Sequence, residues 1–282
     1  LVGAARTAPG IELNLKAAVT NFHQTEESVV VEVSGKELVA DVLIGADGIH
    51  SKVRATLWGA EQPRFTGNVA WRALVPARLL PAGLIRPMST AWWGPGKHFV
   101  HYYVRGGELV NCVCVVEKAG WEVESWTAPG DISELRKDFS GWHPTIAQLL
   151  ENADAEQLYK WALFDRDPMP QWGKGRVTLL GDACHPTLPF MAQGAAMAIE
   201  DAAVLANCLA NTSASSLEEQ LVAYEAARRP RTAGIQTGSR RNARVFHLSG
   251  IQAWFRNRAV RSVGNRTVDR LYSYNALEAP LN

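Results

Sequence analysis

Two apolar runs, far apart in the chain, end in the same way. Residues 38–44 (LVADVLI) stop abruptly at Gly45-Ala46-Asp47-Gly48 and restart at Ser51-Lys52-Val53-Arg54, which reads as the start of a helix. Residues 176–180 (RVTLL) stop at Gly181-Asp182-Ala183, and a loop with Pro186, Pro189 and Gly194 leads into a long helix. In that helix Ala195, Ala198, Ile199, Ala202, Leu205, Ala206 and Leu209 share one face at the helical period. Strand, tight glycine turn, helix is the repeating unit of an open α/β sheet, and ligands of such sheets bind where the strands end. An α/β chain with its sheet-forming parts far apart in sequence is the expectation.

The stretch between the two units has another character. Short β-branched and aromatic runs fill 67–75, 89–93, 98–104 (HFVHYYV) and 109–116 (LVNCVCVV), with a Gly106-Gly107 hairpin signal between the last two. They predict a mostly antiparallel sheet, followed by helices at 131–140 and 144–151. A further hairpin is expected upstream, with strands at 28–33 and 38–44 around a turn at 35–37. After residue 216 the pattern is helical, with Leu217, Leu221, Tyr224 and Arg228 on one stripe. The expected division is 1–62 with 163–216, an inserted β-sheet domain over 63–162, and a C-terminal helical region over 217–282.

Composition excludes several classes. A formal net charge of +1 gives no reason to expect nucleic acid or an anionic membrane as partner. The late arginines Arg228, Arg229, Arg231, Arg240, Arg241 and Arg244 read as a solvated helix face. Four cysteines form no CxxC pair and the histidines are scattered, so neither a disulfide scaffold nor a metal site is expected. No apolar run reaches the roughly 18 residues of a membrane span, and the opening LVGAARTAPG lacks a signal-peptide layout. A cytoplasmic enzyme is the expectation.

The turns carry the first chemistry. A short carboxylate such as Asp182, at a strand end, accepts hydrogen bonds from sugar-like hydroxyls. The helix beginning at Gly194 and Ala195 offers unpaired amides and the positive end of its dipole. The stretch 176–208, RVTLLGDACHPTLPFMAQGAAMAIEDAAVLANC, resembles the flavin ribityl-binding motif of the class A FAD-dependent aromatic hydroxylases. That family includes p-hydroxybenzoate, salicylate, 3-hydroxybenzoate and 6-hydroxynicotinate hydroxylases. The stretch 40–54, ADVLIGADGIHSKVR, is similar to the family's second motif, which serves the FAD pyrophosphate and NAD(P)H, and Tyr224-Glu225 with Arg228 to Arg231 resembles its next helix.

The resemblance implies a split Rossmann-like FAD-binding domain with an inserted antiparallel substrate domain and C-terminal helices. It implies FAD as cofactor, with Asp47, Gly48, Arg54, Gly181, Asp182, Pro189, Gly194 and Ala195 around it, and NADH or NADPH as co-substrate. The reaction implied is hydroxylation of a small phenolic ring with O2 through a flavin C4a-hydroperoxide. The family's opening GxGxxG turn is not found in these residues, so its segment is expected to be missing, and a complementary N-terminal segment or a homo-oligomer is the expected compensation.

Strand alternation puts His98 and Tyr102 on one face and His101 on the other, which makes His98 the candidate base and Tyr102 its hydrogen-bonding partner. Phe190 is expected to touch the substrate, His185 and His101 to be structural, and Arg72 to meet a carboxylate or phosphate. Two other readings stay open: an inactive remnant acting as an interaction protein, and a flavoenzyme of other chemistry such as an epoxidase.

Overall fold

The computed structural model describes residues 1–125, 127–210, 216–263, 269 and 271–279, so parts of the expected 163–216 and 217–282 segments lie outside the described residues. In chain order the elements are α1 (Val2–Thr7), β1 (Val19–Gln24), β2 (Val29–Val33), β3 (Lys36–Ala40), β4 (Leu43–Gly45) and α2 (Lys52–Trp58). Then come β5 (Arg64–Pro76), β6 (Thr90–Gly94), β7 (Lys97–Val104), β8 (Leu109–Glu117), α3 (Ile132–Asp138), α4 (Pro144–Glu151) and β9 (Tyr159–Asp165). The chain returns through β10 (Val177–Leu179) to α5 (Gly194–Ala210), α6 (Leu217–Phe246) and α7 (Gly250–Val263).

The two distant turn units meet. β4 and β10 pair in parallel, with Leu43 opposite Val177 and Gly45 opposite Leu179. Gly45 permits this approach: a Cβ there would stand 2.7 Å from Val53 Cβ and 2.8 Å from a Leu179 methyl. Around the pair, Phe22, Val29 and Val31 of the β1-β2-β3 meander join Trp172, Leu179, Val204, Leu221 and Tyr224 in one buried core.

The insert is a five-stranded sheet in the order β6-β7-β8-β5-β9, antiparallel throughout. Period-two alternation gives it two working faces. Trp71, Ala73, Phe99, Cys112 and Cys114 point toward α3 and α4, where Leu135, Phe139, Ile146 and Leu149 cover them. Ala70, Val115, Trp161 and Leu163 point the other way, onto Leu188 and Phe190 of the loop after β10 and onto Ala243 and Phe246 of α6. The second face therefore looks at the β10 turn, which places the insert over the cofactor edge expected from sequence. This is the mixed α/β arrangement with an antiparallel sheet and C-terminal helices. None of the described helices is long and apolar enough to cross a membrane.

Four local expectations change. The run 38–44 is two strands, because the chain breaks at Asp41-Val42 between its antiparallel pairing with β2 and its parallel pairing with β10. The turn before β3 is Ser34-Gly35, both at positive φ, instead of residues 35–37. In α5 the buried positions are Met197, Asp201, Val204, Leu205 and Cys208, while Ile199 is 60% exposed. The buried stripe runs through an aspartate, which an apolar count passes over. The arginine run is only partly a solvated face: Arg241 and Arg244 are exposed, but Arg228 is fully buried and Arg240 pairs with Asp165 and Asp167.

Candidate functional site

The first half of the site is made by the adjoining ends of β4 and β10. Asp47 Oδ2 accepts from the amides of Lys52 (2.7 Å) and Val53 (3.2 Å), and Ser51 Oγ accepts from Arg54 N at 2.9 Å, so both side chains satisfy orphan donors at the start of α2. Gly48 and Gly181 take positive φ, +78° and +64°, and turn the chain away at the two strand ends. Arg54 lies between the turns. Its two terminal nitrogens donate to Ala183 O and Ile49 O, each at 2.6 Å. Burial first, and nearby Arg166 second, lower its pKa. Arg54, expected around the cofactor, thereby clamps the two turns together.

A buried ionic network fixes the Gly181 turn from behind. Asp201 accepts from Arg228 Nε at 2.7 Å, from Gly181 N at 3.1 Å and pairs with His185 Nε2 at 2.5 Å. Arg228 also donates to Glu200 at 2.6 Å, and Tyr224 OH to Leu179 O at 3.1 Å. Burial alone would raise the Asp201 carboxyl, but His185 and Arg228 outweigh it and hold the pKa low. Sequence reasoning saw Arg228 and His185 and missed Asp201. The signal was there: an acid on the helix after the turn, facing a helix rich in arginine.

The second half of the site is the inner face of the insert. His98 is buried, with Phe190 edge-on at 5.1 Å between ring centroids and Phe246 at 5.4 Å. His98 Nδ1 bonds His247 Nε2 at 2.8 Å, and His247 Nδ1 bonds Glu117 Oε1 at 2.8 Å. His98 Nε2 makes no hydrogen bond among the described residues. Burial, with a smaller contribution from His247, lowers the His98 pKa to about 3, so the ring is neutral at neutral pH. His247 is lowered as well, by burial, against the pull of Glu117.

Tyr102 shares the face of His98 but is 36% exposed. Four residues of strand put about 13 Å between their Cα atoms, so the two flank the face from different ends rather than share one proton. Between them the ladder aligns Val100, Val113, Arg72 and Tyr159 across β7, β8, β5 and β9. The Arg72 guanidinium lies 5.2 Å from the Tyr159 ring centroid, with no acidic partner among the described residues. His101 points to the opposite face, beside Trp92 and Phe99. Phe190 is packed under His98 and His247 instead of standing open, whereas Pro189 beside it is exposed.

The turn residues fit a flavin dinucleotide. Asp182 is exposed, crowding in the turn raises its pKa, and its carboxylate has no hydrogen-bond donor among the described residues. The first amides of α5, at Gly194 and Ala195, have no intrahelical acceptor. One residue earlier Gln193 is buried and its Nε2 has no partner among the described residues. An acceptor for hydroxyls beside donors for an anionic or carbonyl edge is the set that a ribityl chain and an isoalloxazine rim require.

The comparisons agree with this chemistry. The family described as FAD binding domain matches residues 1–239. The chain belongs to the FAD-dependent aromatic hydroxylases. It is 37% identical over 285 residues to 3-hydroxybenzoate 6-hydroxylase of Klebsiella oxytoca, covering 98% of this chain and 70% of that enzyme. It is 38% identical over 243 residues to 6-hydroxynicotinate 3-monooxygenase of Bordetella bronchiseptica, covering 86% of this chain and 58% of that one. Among solved structures, a salicylate hydroxylase substrate complex superposes with a TM-score of 0.81 at 27% identity, over 95% of this chain and 70% of its own. The chain thus spans 58% to 70% of the length of these relatives.

Proposed function

We propose that this chain carries the substrate face and the flavin ribityl turn of a monooxygenase that hydroxylates a small phenolic carboxylate with O2 and NADH or NADPH. The observation that carries the reading is His98. A neutral imidazole, its Nε2 uncommitted among the described residues, faces the flavin-side loop from a surface that also holds Tyr102 and the cation Arg72, which has no acidic partner among them. In this reading residues 1–62 and 163–216 hold the cofactor and residues 63–162 cover the substrate.

Asp182, with Gly181 beside it, would hold the ribityl hydroxyls, and the amides of Gly194 and Ala195 would meet the flavin; Asp47 and Gly48 shape the neighbouring turn, and Pro189 would line the same site. When bound, the flavin supplies the redox chemistry: hydride uptake from the nicotinamide and delivery of oxygen to the ring. The protein's own part is to orient and to deprotonate. Arg72 pairs with the carboxylate, Tyr102 hydrogen-bonds the ring's polar substituent, and His98 Nε2 accepts the phenol proton, which makes the ring carbon more nucleophilic. Trp161, Val115 and Phe190 keep water from the reacting face.

Hydroxybenzoates and hydroxynicotinates are the substrates to try, since the relatives are named for them. The test is purification with FAD, gel filtration, and NAD(P)H oxidation with product analysis across that panel. Retained flavin and a hydroxylated product abolished by His98→Ala are expected; oxidation of NAD(P)H with no ring product would overturn the reading. The outer edge of β4, which has no strand partner among the described residues, favours a complementary segment or second copy in holding FAD, which the same gel filtration tests by mass.

A further inference from the structure

The residues behind His98 come from three distant parts of the chain and form a continuous line. Glu117 ends β8, His98 lies near the start of β7, and His247 follows the last turn of α6, 149 residues from His98 and 130 from Glu117. Several contacts hold this line in place. The Gly96 amide donates to His247 O at 3.1 Å, and Glu117 N donates to Gly96 O at 2.8 Å. Arg256 of α7 donates to Val245 O (3.0 Å) and Phe246 O (2.8 Å), securing the end of α6, while Trp93 stacks on Phe246 at 4.3 Å. The His247 side chain is 3% exposed and that of Glu117 57% exposed, so the line runs from a buried ring to solvent. Glu117 opens into a cavity of about 650 Å³ that Lys118, Arg240 and Arg244 also line.

The hydrogen bonds dictate the tautomers. A carboxylate only accepts, so the bond to Glu117 places the His247 proton on Nδ1. His247 Nε2 is then an acceptor, and the bond at 2.8 Å requires His98 to carry its proton on Nδ1. That leaves His98 Nε2 with a bare lone pair on the substrate face.

Resting on the function proposed above, we propose that His247 and Glu117 are positioning residues that hold His98 in its basic tautomer and carry the phenol proton out to the cavity. The phenol O–H breaks and its proton bonds His98 Nε2; the His98 Nδ1 proton passes to His247 Nε2, and the His247 Nδ1 proton to Glu117, which releases it to water. Each ring gains one proton and loses one, so no imidazolium persists. That matters because burial makes a charged His98 unfavourable, and a base of such low pKa works only if its proton leaves at once. The charged groups around the line are Glu117, Arg256 beside His247, and Lys118, Arg240 and Arg244 at the cavity.

The test is histidine-ring nitrogen NMR on the full chain, which needs no cofactor and so separates this proposal from the flavin reading. The wild-type protein should show both His98 and His247 protonated on Nδ1. In Glu117→Leu, His247 should move its proton to Nε2 and His98 should follow, while Glu117→Gln, which keeps an acceptor, should retain the wild-type pattern. In the loaded enzyme Glu117→Leu should lower kcat by about 10²-fold with KM unchanged. Finding His247 protonated on Nε2 in the wild type, or His98 unchanged in Glu117→Leu, would overturn the proposal.

Discussion

Acid should unfold this protein through His98 over a definable pH window. The ring is 3% exposed and its pKa is about 3 in the folded chain, against 6.5 for the free side chain. The unfolded chain takes up a proton as pH falls through about 6.5, while the folded chain does not until about pH 3, so stability is full above the unfolded value and lost progressively below it. From about pH 7.5 to about pH 5 this one group should remove about 2 kcal/mol, since each pH unit between the two pKa values costs about 1.4 kcal/mol. Urea unfolding followed by tryptophan fluorescence at those two pH values measures it, with His98→Asn as control. The variant should lose about 2 kcal/mol less than the wild type over the same interval. His247 titrates in both proteins and largely cancels. Equal losses in the two would refute the claim that His98 is held neutral by burial.

Other expected outcomes follow from the same geometry. Arg228→Met leaves Asp201 buried with one of its three partners gone and should cost about 3–5 kcal/mol in the same unfolding assay. Gly45→Ala drives a methyl into Val53 and Leu179 at the β4–β10 seam and should cost about 1–3 kcal/mol. Arg72→Leu, which breaks no ion pair among the described residues, should leave the melting temperature unchanged but raise KM for carboxylate substrates roughly 10- to 100-fold, the value of a charged hydrogen bond. Leu149→Ala, under the helix-side face of the insert, should cost about 2–5 kcal/mol without altering substrate preference.

What the sequence disclosed and what it hid divide along physical lines. β7 and β8 were legible because a glycine hairpin separates two alternating runs, and the β10 turn because glycine and aspartate follow a short apolar strand. β9 went unread, since YKWALFD looks like neither clean alternation nor a helix until β5 stands beside it. The functional face was half legible. His98 and Tyr102 could be put on one side of a strand, but no local pattern joins His98 to a histidine beyond the end of α6 or to a glutamate on the next strand. Arg54 was half legible in the same way: its place beside an Asp-Gly turn suggests a ligand, and only the distance to Ala183 O adds the clamp. Long-range hydrogen bonds are set by topology, and topology is what a linear pattern carries least.

The most direct test of the account is a single-turnover reaction of the FAD-loaded protein with isotopically labelled dioxygen, NAD(P)H and a hydroxybenzoate or hydroxynicotinate. The expected result is one labelled oxygen on the ring for each NAD(P)H consumed, with ring labelling lost in His98→Ala while flavin binding persists. Labelled oxygen appearing only as hydrogen peroxide or water, in wild type and variant alike, would contradict the assignment of this face as a hydroxylation site.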